Sequence, residues 1–173
     1  KKGLDCLMKR ADEHDDPFLN GVPFIWCSNN LVTAAITHAQ LYYQATGDES
    51  YLEMEAALRD WLFGCNPWGT SMICGYPEYG DSPTRPHSFV SELMKDIPYG
   101  GLVDGPIYKS IYESLLGIHL RYDDPYAPFQ FGAAVYHDDP GDYSSNEPTM
   151  DGTASLSFYL STMEKIGKTQ KKK

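Results

Sequence analysis

Glu147 is the residue whose type and setting most directly suggest chemistry. It follows an aromatic hydroxyl at Tyr143 and precedes Pro148, which stops regular structure, and a periodic apolar segment begins a few residues later. A glutamate on a tight loop before a helix suits a general acid, because the loop aims the carboxyl into a cleft while the helix fixes its backbone. The competing interpretation is an ordinary solvated carboxylate on a loop.

A second candidate, His87, lies in the longest irregular segment. Gly and Pro recur from residue 64 to residue 105, and a loop of this length in a compact helical chain is typically functional or disordered. The aromatic residues embedded in it favour order. His87 directly follows a proline, which restricts its backbone and makes the imidazole a candidate for lining a cleft; a histidine without a functional role is the alternative.

Composition excludes one class of partner. The 173 residues carry 14 Lys and Arg against 24 Asp and Glu, a net charge of −10, whereas binding to a phosphate backbone needs a basic face. We therefore expect no nucleic acid. Tyrosine is abundant, with 13 Tyr beside 7 Phe and 3 Trp. Such residues suit surfaces that are apolar and wet, including carbohydrate clefts and protein interfaces, although burial with satisfied hydroxyls explains them equally well.

The sequence gives no clear metal, disulfide or membrane signal. Cys6, Cys27, Cys65 and Cys74 show no CxxC spacing, so we expect no zinc site and predict free buried thiols, with a Cys65–Cys74 bridge as the alternative. The acidic run at residues 12–16 is interpreted as a solvated connector and, second, as a metal site. No apolar run approaches transmembrane length, and the first residues do not resemble a signal peptide, so the sequence assigns no membrane and no compartment.

The apolar periodicity predicts an all-α chain. A helix over residues 31–45 closes at Gly47, and a second over 51–62 begins with a capping box formed by Ser50 and Glu53, so the two should form a helical hairpin. Ser28 to Asn30 supply N-caps for the first of these helices. His38 is predicted to be a packed core histidine. A further helix is expected over residues 107–118, and a last helix follows the loop of residues 121–151, with an apolar stripe from residue 156 to residue 166. Residues 1–20 are charged, with a polar loop expected over residues 12–17, and residues 168–173 are expected to form a basic tail.

Four motifs in order resemble the C-terminal part of a glycoside hydrolase family 9 catalytic domain, the cellulase family. They cover nearly the whole chain and comprise Trp61 to Ser71 (WLFGCNPWGTS), Arg85-Pro86-His87, Gly100 to Pro106 (GGLVDGP) and Asp142 to Glu147 (DYSSNE). The resemblance implies about the C-terminal half of an (α/α)6 barrel with long ordered active-site loops. It also implies that residues 1–173 form a single partial catalytic domain.

The resemblance implies a role for each matching position. Glu147 would be the general acid that protonates the leaving glycosidic oxygen, and Tyr143 would line the same subsite and hydrogen-bond the acid or the sugar. His87 would bind sugar hydroxyls beside the scissile bond. Trp68 would stack on a sugar face or, equally well, brace its loop.

Two departures from the family pattern affect what is implied. The family carries an arginine two residues after the histidine, where this chain has Phe89, so Arg85 is the candidate replacement. Family 9 enzymes invert stereochemistry, which requires a second carboxylate as base, and the family's Asp-rich base motif does not occur here. We therefore expect the base to lie in a missing N-terminal portion and this chain alone to be incomplete and inactive.

The implied function is hydrolysis of β-1,4-glucan, and the alternative is a degenerate, non-catalytic module that binds glycan. A partial barrel leaves helix faces uncovered, so we expect a partner, either the N-terminal half of the domain or a second copy of the chain. The resemblance implies an extracellular or periplasmic location. No cofactor is expected; structural calcium occurs in the family, but its ligands cannot be matched here.

Overall fold

The computed structural model describes residues 1–170, and it is mostly helical. The α-helices are α1 (Lys2–Glu13), α2 (Ser28–Thr46), α3 (Leu52–Leu62), the single turn α4 (Lys109–Tyr112) and α5 (Met150–Gln170). A π-helical turn (Val90–Met94), a 3-10 turn (Ala127–Phe129) and the two-residue strands β1 (Ile107–Tyr108) and β2 (Ala134–Val135) interrupt the loops. The predicted tail begins inside α5 at Lys168, and residues 171–173 lie outside the described residues.

The predicted hairpin of α2 and α3 is confirmed, because the two helices pack against each other across a short connection. Gly47 ends α2 in the left-handed region at φ 71°, and its N–H bonds the Tyr43 carbonyl, as the helix-terminating role of glycine predicts. Tyr42 and Tyr51 meet edge to face at 5.4 Å across this connection. α5 packs against α2, and it begins at Met150, inside the last two residues of the predicted loop.

The predicted caps are wrong. α2 starts after Cys27, whose backbone is left-handed at φ 56°, and the Ser28 hydroxyl instead donates to the Pro106 carbonyl at 2.7 Å. At α3 the Ser50 hydroxyl bonds the Asp48 carboxylate, so no side chain caps the helix. In both cases the serine hydroxyl, which was predicted to cap the helix, forms a hydrogen bond with another part of the chain instead.

Two further elements differ from the prediction. Residues 2–13 form α1, a helix that was not predicted in this charged segment; the helical spacing of Leu4, Leu7 and Ala11 explains it, and Leu4 is fully buried. The predicted helix over 107–118 is reduced to one turn, because Ile107 pairs with Val135 and Tyr108 with Ala134 in an antiparallel ladder. Tertiary pairing overrides the helical period there.

One core joins α1, α2, α3 and α5 to the long loops. Its largest fully buried side chains include Trp61, Tyr136, Tyr159, Leu58 and Met72. The prediction for His38 is wrong: it is exposed, because α2 buries Val32, Ile36 and Ala39 instead of the expected face. The exposed face of α2 remains apolar, with Leu31 and Leu41 at 39% and 47% exposure, next to Phe158 of α5 at 56%.

All four cysteines are free, but only Cys74 is buried, so the expectation of buried thiols holds for that residue alone and the Cys65–Cys74 bridge does not form. Across residues 1–170, every helix is too short or too polar to cross a membrane.

Candidate active site

The loop before Glu147 is held by the buried carboxylate of Asp142. Its Oδ1 accepts the backbone N–H groups of Ser144 at 2.9 Å and Ser145 at 3.1 Å, and its Oδ2 accepts the Ser145 hydroxyl at 2.7 Å and His137 Nδ1 at 2.8 Å. Burial opposes ionisation, but the bonds from His137, Ser144 and Ser145 hold the pKa of Asp142 below its usual range. The charged carboxylate therefore fixes the backbone of the loop.

Asn146 joins this loop to the segment that carries His87. It is fully buried, its Nδ2 donates to the Arg85 carbonyl and to Asp138 Oδ1, each at 3.2 Å, and its Oδ1 accepts the Tyr136 hydroxyl at 3.1 Å. Its carbonyl accepts the His87 N–H at 2.9 Å. The histidine and the glutamate of the family motifs, 60 residues apart in sequence, are thus tied to one asparagine.

Two neighbouring aspartates extend the same network. Asp138 accepts the backbone N–H groups of Thr84 and Arg85, each at 2.9 Å. Asp139 accepts those of Arg121 and Tyr122, each at 2.9 Å. Both aspartates are buried, so hydrogen bonds from the backbone N–H groups of a distant loop replace the water that would otherwise solvate each carboxylate. The long loops are consequently ordered around residues 138–146.

Glu147 differs from this network in being exposed. Its backbone is pinned, since its carbonyl accepts the Asp104 N–H at 2.9 Å and Thr149 N–H bonds the Leu102 carbonyl at 3.0 Å. Within the described part of the chain, no side-chain donor bonds the Glu147 carboxyl. The site therefore presents a free carboxyl on a fixed backbone.

An aromatic row lies beside the His87 segment. The Tyr143 ring stands 6.2 Å from the His87 ring and 6.0 Å from the Trp26 ring, and Trp26 is 43% exposed. His87 Nδ1 lies 2.6 Å from the Pro140 carbonyl, which can only accept, so Nδ1 carries the proton and Nε2 is left for a ligand. The Tyr143 hydroxyl donates to the Leu116 carbonyl at 2.8 Å, so this donor is used within the protein.

Trp26 is a residue that the sequence did not single out. It lies in the apolar segment before α2, outside the four motifs that carry the family resemblance. Its exposure beside Tyr143 depends on how the loop before α2 meets the loop of residues 142–147. No local spacing in the sequence encodes that contact.

The sugar-stacking role expected for Trp68 is wrong in this structure. Trp68 is 3% exposed, its Nε1 donates to Gln130 Oε1 at 2.9 Å, and its ring meets those of Trp61, Phe131 and Tyr136. A ring with no free face cannot stack on a sugar. The alternative, that Trp68 braces its loop, agrees with these contacts.

The Arg85 side chain contacts Tyr122. Its guanidinium covers the Tyr122 ring at 4.7 Å, a cation–π arrangement, in a polar cavity also lined by Glu92, Asp96 and Arg121. Phe89, at the position of the family's arginine, is 68% exposed. Among residues 1–170, the ring contacts of His87, Tyr143 and Trp26 include no guanidinium.

Among residues 1–170, no three His, Cys, Asp or Glu side chains are grouped so that they could hold a metal ion. The acidic run at residues 12–16 spans the end of α1 and the turn after it. The carboxylates of Asp138, Asp139 and Asp142 accept hydrogen bonds from backbone and side-chain donors of the protein.

The comparisons with known proteins agree on one family. The sequence model described as glycosyl hydrolase family 9 matches residues 6–160. Endoglucanase C of Cellulomonas fimi is 25% identical over 153 residues, which make up 87% of this chain and 13% of that protein.

Solved structures give the fold. The family 9 endoglucanase J30 is 26% identical with a TM-score of 0.64, over 92% of this chain and 29% of that one. AaCel9A in complex with a cellobiose-like isofagomine is 24% identical with a TM-score of 0.66, over 94% of this chain and 30% of that one. The chain therefore spans less than a third of the length of these relatives. Family 9 endoglucanases have an (α/α)6 barrel, so the predicted all-α partial barrel is confirmed. This chain belongs to glycosyl hydrolase family 9.

Proposed function

We propose that this chain carries the general acid, Glu147, of an inverting hydrolase of β-1,4-glucan. The observation that carries the proposal is a free, exposed carboxyl on a backbone fixed by Asn146, which also holds the His87 segment. Family membership, the endoglucanase relative and the cellobiose-like ligand of a structural relative support glucan as the substrate class.

The chemistry requires a positioned acid. Proton transfer to the leaving oxygen needs a carboxyl within hydrogen-bond reach of it, so a rigid backbone lowers the cost of reaching that geometry. Inversion also needs a base on the opposite face of the sugar, about 6.5–9.5 Å from the acid, to activate water. We propose that this base is supplied by sequence outside residues 1–173.

The aromatic row would hold the sugar next to the acid. Trp26 and Tyr143 offer ring faces to a pyranose, and His87 Nε2 would accept a hydrogen bond from a sugar hydroxyl, as its Nδ1 is occupied by Pro140. For Tyr143 the role is stacking, because its hydroxyl bonds Leu116. A sugar-binding role for Arg85 would require its guanidinium to leave Tyr122.

The exposed apolar face of α2 and α5 would meet the rest of the barrel. Leu41 of α2 and Phe158 of α5 border a groove between the two helices, and Leu31 is a further exposed apolar residue of α2. Contiguous exposed apolar side chains of this kind favour contact with another protein surface. We propose the N-terminal part of the catalytic domain as the partner, with a second copy of this chain as the alternative. An extracellular or periplasmic location and structural calcium stay predictions of the resemblance.

A second function, a glycan-binding module without catalysis, is favoured by the exposed Phe89 where the family has arginine. The two functions separate in one assay of the intact protein, with whatever sequence precedes and follows these residues. Titration calorimetry with cello-oligosaccharides measures binding, and release of reducing sugar measures hydrolysis. Binding without hydrolysis by the wild-type protein would establish the module and overturn the hydrolase.

The direct test of the acid is Glu147→Gln in the intact protein. The amide cannot donate the proton to the leaving oxygen, so turnover should fall by about 10²–10⁴-fold while cello-oligosaccharide binding is kept. Glu53→Gln, at an exposed position in the first turn of α3, is the matched control and should keep wild-type turnover. Normal turnover by Glu147→Gln would contradict the assignment.

A further inference from the structure

Asp104 lies next to Glu147, where the segment around residue 104 meets the loop that carries Glu147 and the start of α2. Its N–H donates to the Glu147 carbonyl at 2.9 Å, and its own carbonyl accepts the Asn29 N–H at 2.9 Å. The next residue, Gly105, has φ +91°, and a Cβ there would stand 2.4 Å from the Asn29 side chain. The acid loop (residues 142–147) therefore packs tightly against the segment around residue 104, which in turn packs against the start of α2.

The Asp104 carboxyl has an unusual environment for an aspartate. It is 1% exposed, and within residues 1–170 its Oδ1 has no hydrogen-bond partner. Within the described residues, the Cys27 thiol is the side-chain donor that faces the carboxyl. The charged groups that face it are Glu147, Asp151 and Asp142, all acidic. No described Lys, Arg or His forms an ion pair with it, so ionisation would place an uncompensated charge in the junction.

The titration behaviour agrees with this geometry. Burial raises the pKa of Asp104 to about 7; the Cys27 thiol bond works against this rise, and the charges of Glu147, Asp151 and Asp142 add to it. The pKa of Cys27 is raised to about 12, first by burial and then by the bond to Asp104. Below neutral pH the pair is therefore an uncharged carboxylic acid beside a neutral thiol.

We propose that Asp104 is a positioning residue for Glu147, which holds the acid loop against α2 while it is uncharged and releases that hold when it ionises. Ionisation transfers the carboxyl proton to solvent and leaves a carboxylate that the charges of Glu147, Asp151 and Asp142 repel. Opening of the junction relieves that repulsion, and the backbone bond between Asp104 and Glu147 is part of the junction. The proposal rests on the proposed role of Glu147 as general acid, and it adds an upper pH limit to that role.

The first test is the pH profile of hydrolysis by the intact protein. Wild-type kcat should fall as the pH rises through 7, to about a tenth of its maximum one unit above that midpoint. Asp104→Asn, which cannot ionise, should retain more of its maximal activity at each pH above 7 than the wild-type protein does. Asp151→Asn removes an exposed carboxyl that faces the same group, and it should shift the limb far less. An alkaline limb unchanged in Asp104→Asn would overturn the proposal.

The second test is independent of hydrolysis. In intact protein labelled with ¹³C at the aspartate carboxyls, one signal should titrate near pH 7 and be missing in Asp104→Asn, and the Glu147 amide should shift with the same midpoint. A signal that titrates below about pH 5, or a Glu147 amide that does not follow it, would overturn the positioning role. If Asp104→Asn does not fold, Cys27→Ala replaces it and should move that titration to higher pH, because the thiol bond that favours ionisation is gone. Absent hydrolysis together with the coupled titration would instead refute the proposed function alone.

Discussion

Asp142 and Asp104 are two aspartates that are buried to the same extent, but their pKa values are shifted in opposite directions. Asp142 is fully buried and receives hydrogen bonds from His137, Ser144 and Ser145, which hold its pKa below the usual range despite burial. Asp104 is 1% exposed, has one thiol donor and acidic neighbours, and burial raises its pKa to about 7. Burial alone therefore does not decide the charge of an aspartate; the number of donors aimed at it does. One aspartate serves as a charged clamp, and the other as an uncharged support beneath the candidate acid.

The largest expected effect is the loss of the clamp. Asp142→Ala leaves His137 and the backbone N–H groups of Ser144 and Ser145 unpaired in a buried site, which should cost about 3 kcal/mol of unfolding free energy. Chemical denaturation of the intact protein measures this cost. The matched exposed change, Asp123→Ala, should cost less than about 0.5 kcal/mol. Equal stabilities would show that the clamp does not contribute.

The next effect is the pH dependence of stability. For Asp104 the folded pKa is about 7 against a usual value of about 4, so its stabilisation is complete below pH 4 and is lost as the pH rises through 7. For Asp142 the folded pKa is lowered, so its stabilisation is present above pH 4 and is lost as the pH falls through the folded pKa.

Melting temperatures from pH 3 to pH 9 therefore separate the two aspartates. Asp104→Asn should reduce the loss of stability between pH 4 and pH 7, and Asp142→Asn should reduce the loss below pH 4. The opposite result, in which Asp142→Asn acts between pH 4 and pH 7 and Asp104→Asn acts below pH 4, would contradict the opposite pKa shifts of the two aspartates.

The smallest effect isolates one donor of the clamp. Ser145→Ala removes the 2.7 Å hydroxyl bond to Asp142 and leaves the backbone bonds in place, so the pKa of Asp142 should rise with a stability loss of about 1 kcal/mol. Carboxyl NMR titration and denaturation measure the two changes. Ser157→Ala, on the exposed side of α5, provides the control. An unchanged Asp142 pKa would mean that the Ser145 hydroxyl does not contribute to the pKa difference between Asp142 and Asp104.

The sequence predicted those parts of the fold that local periodicity encodes. The α2–α3 hairpin with Gly47, the core of α5 and the family followed from spacing and motifs. The helix expected over 107–118 failed because Ile107 and Tyr108 pair with a strand far along the chain. α1 was overlooked, although Leu4, Leu7 and Ala11 carry a helical spacing.

The candidate site was predicted as a set of motifs and not as a geometry. Glu147, His87 and Tyr143 were named from the sequence, and Asn146 and the aromatic contact bring their segments together. The burial of Trp68, the stacking of Arg85 on Tyr122 and the exposure of Trp26 depend on tertiary contacts that no local pattern contains. The same holds for Asp104, whose environment comes from three separate segments.

The measurement that tests the central claim most directly is the dependence of Glu147→Gln on the leaving group. An acid protonates the departing oxygen, so an aryl glycoside with a good leaving group needs little of its help, whereas a cello-oligosaccharide needs all of it. In the intact protein, kcat of Glu147→Gln should fall by about 10²–10⁴-fold on cello-oligosaccharide and far less on the activated aryl cellobioside. Equal losses on both substrates, or no loss on either, would contradict Glu147 as the general acid.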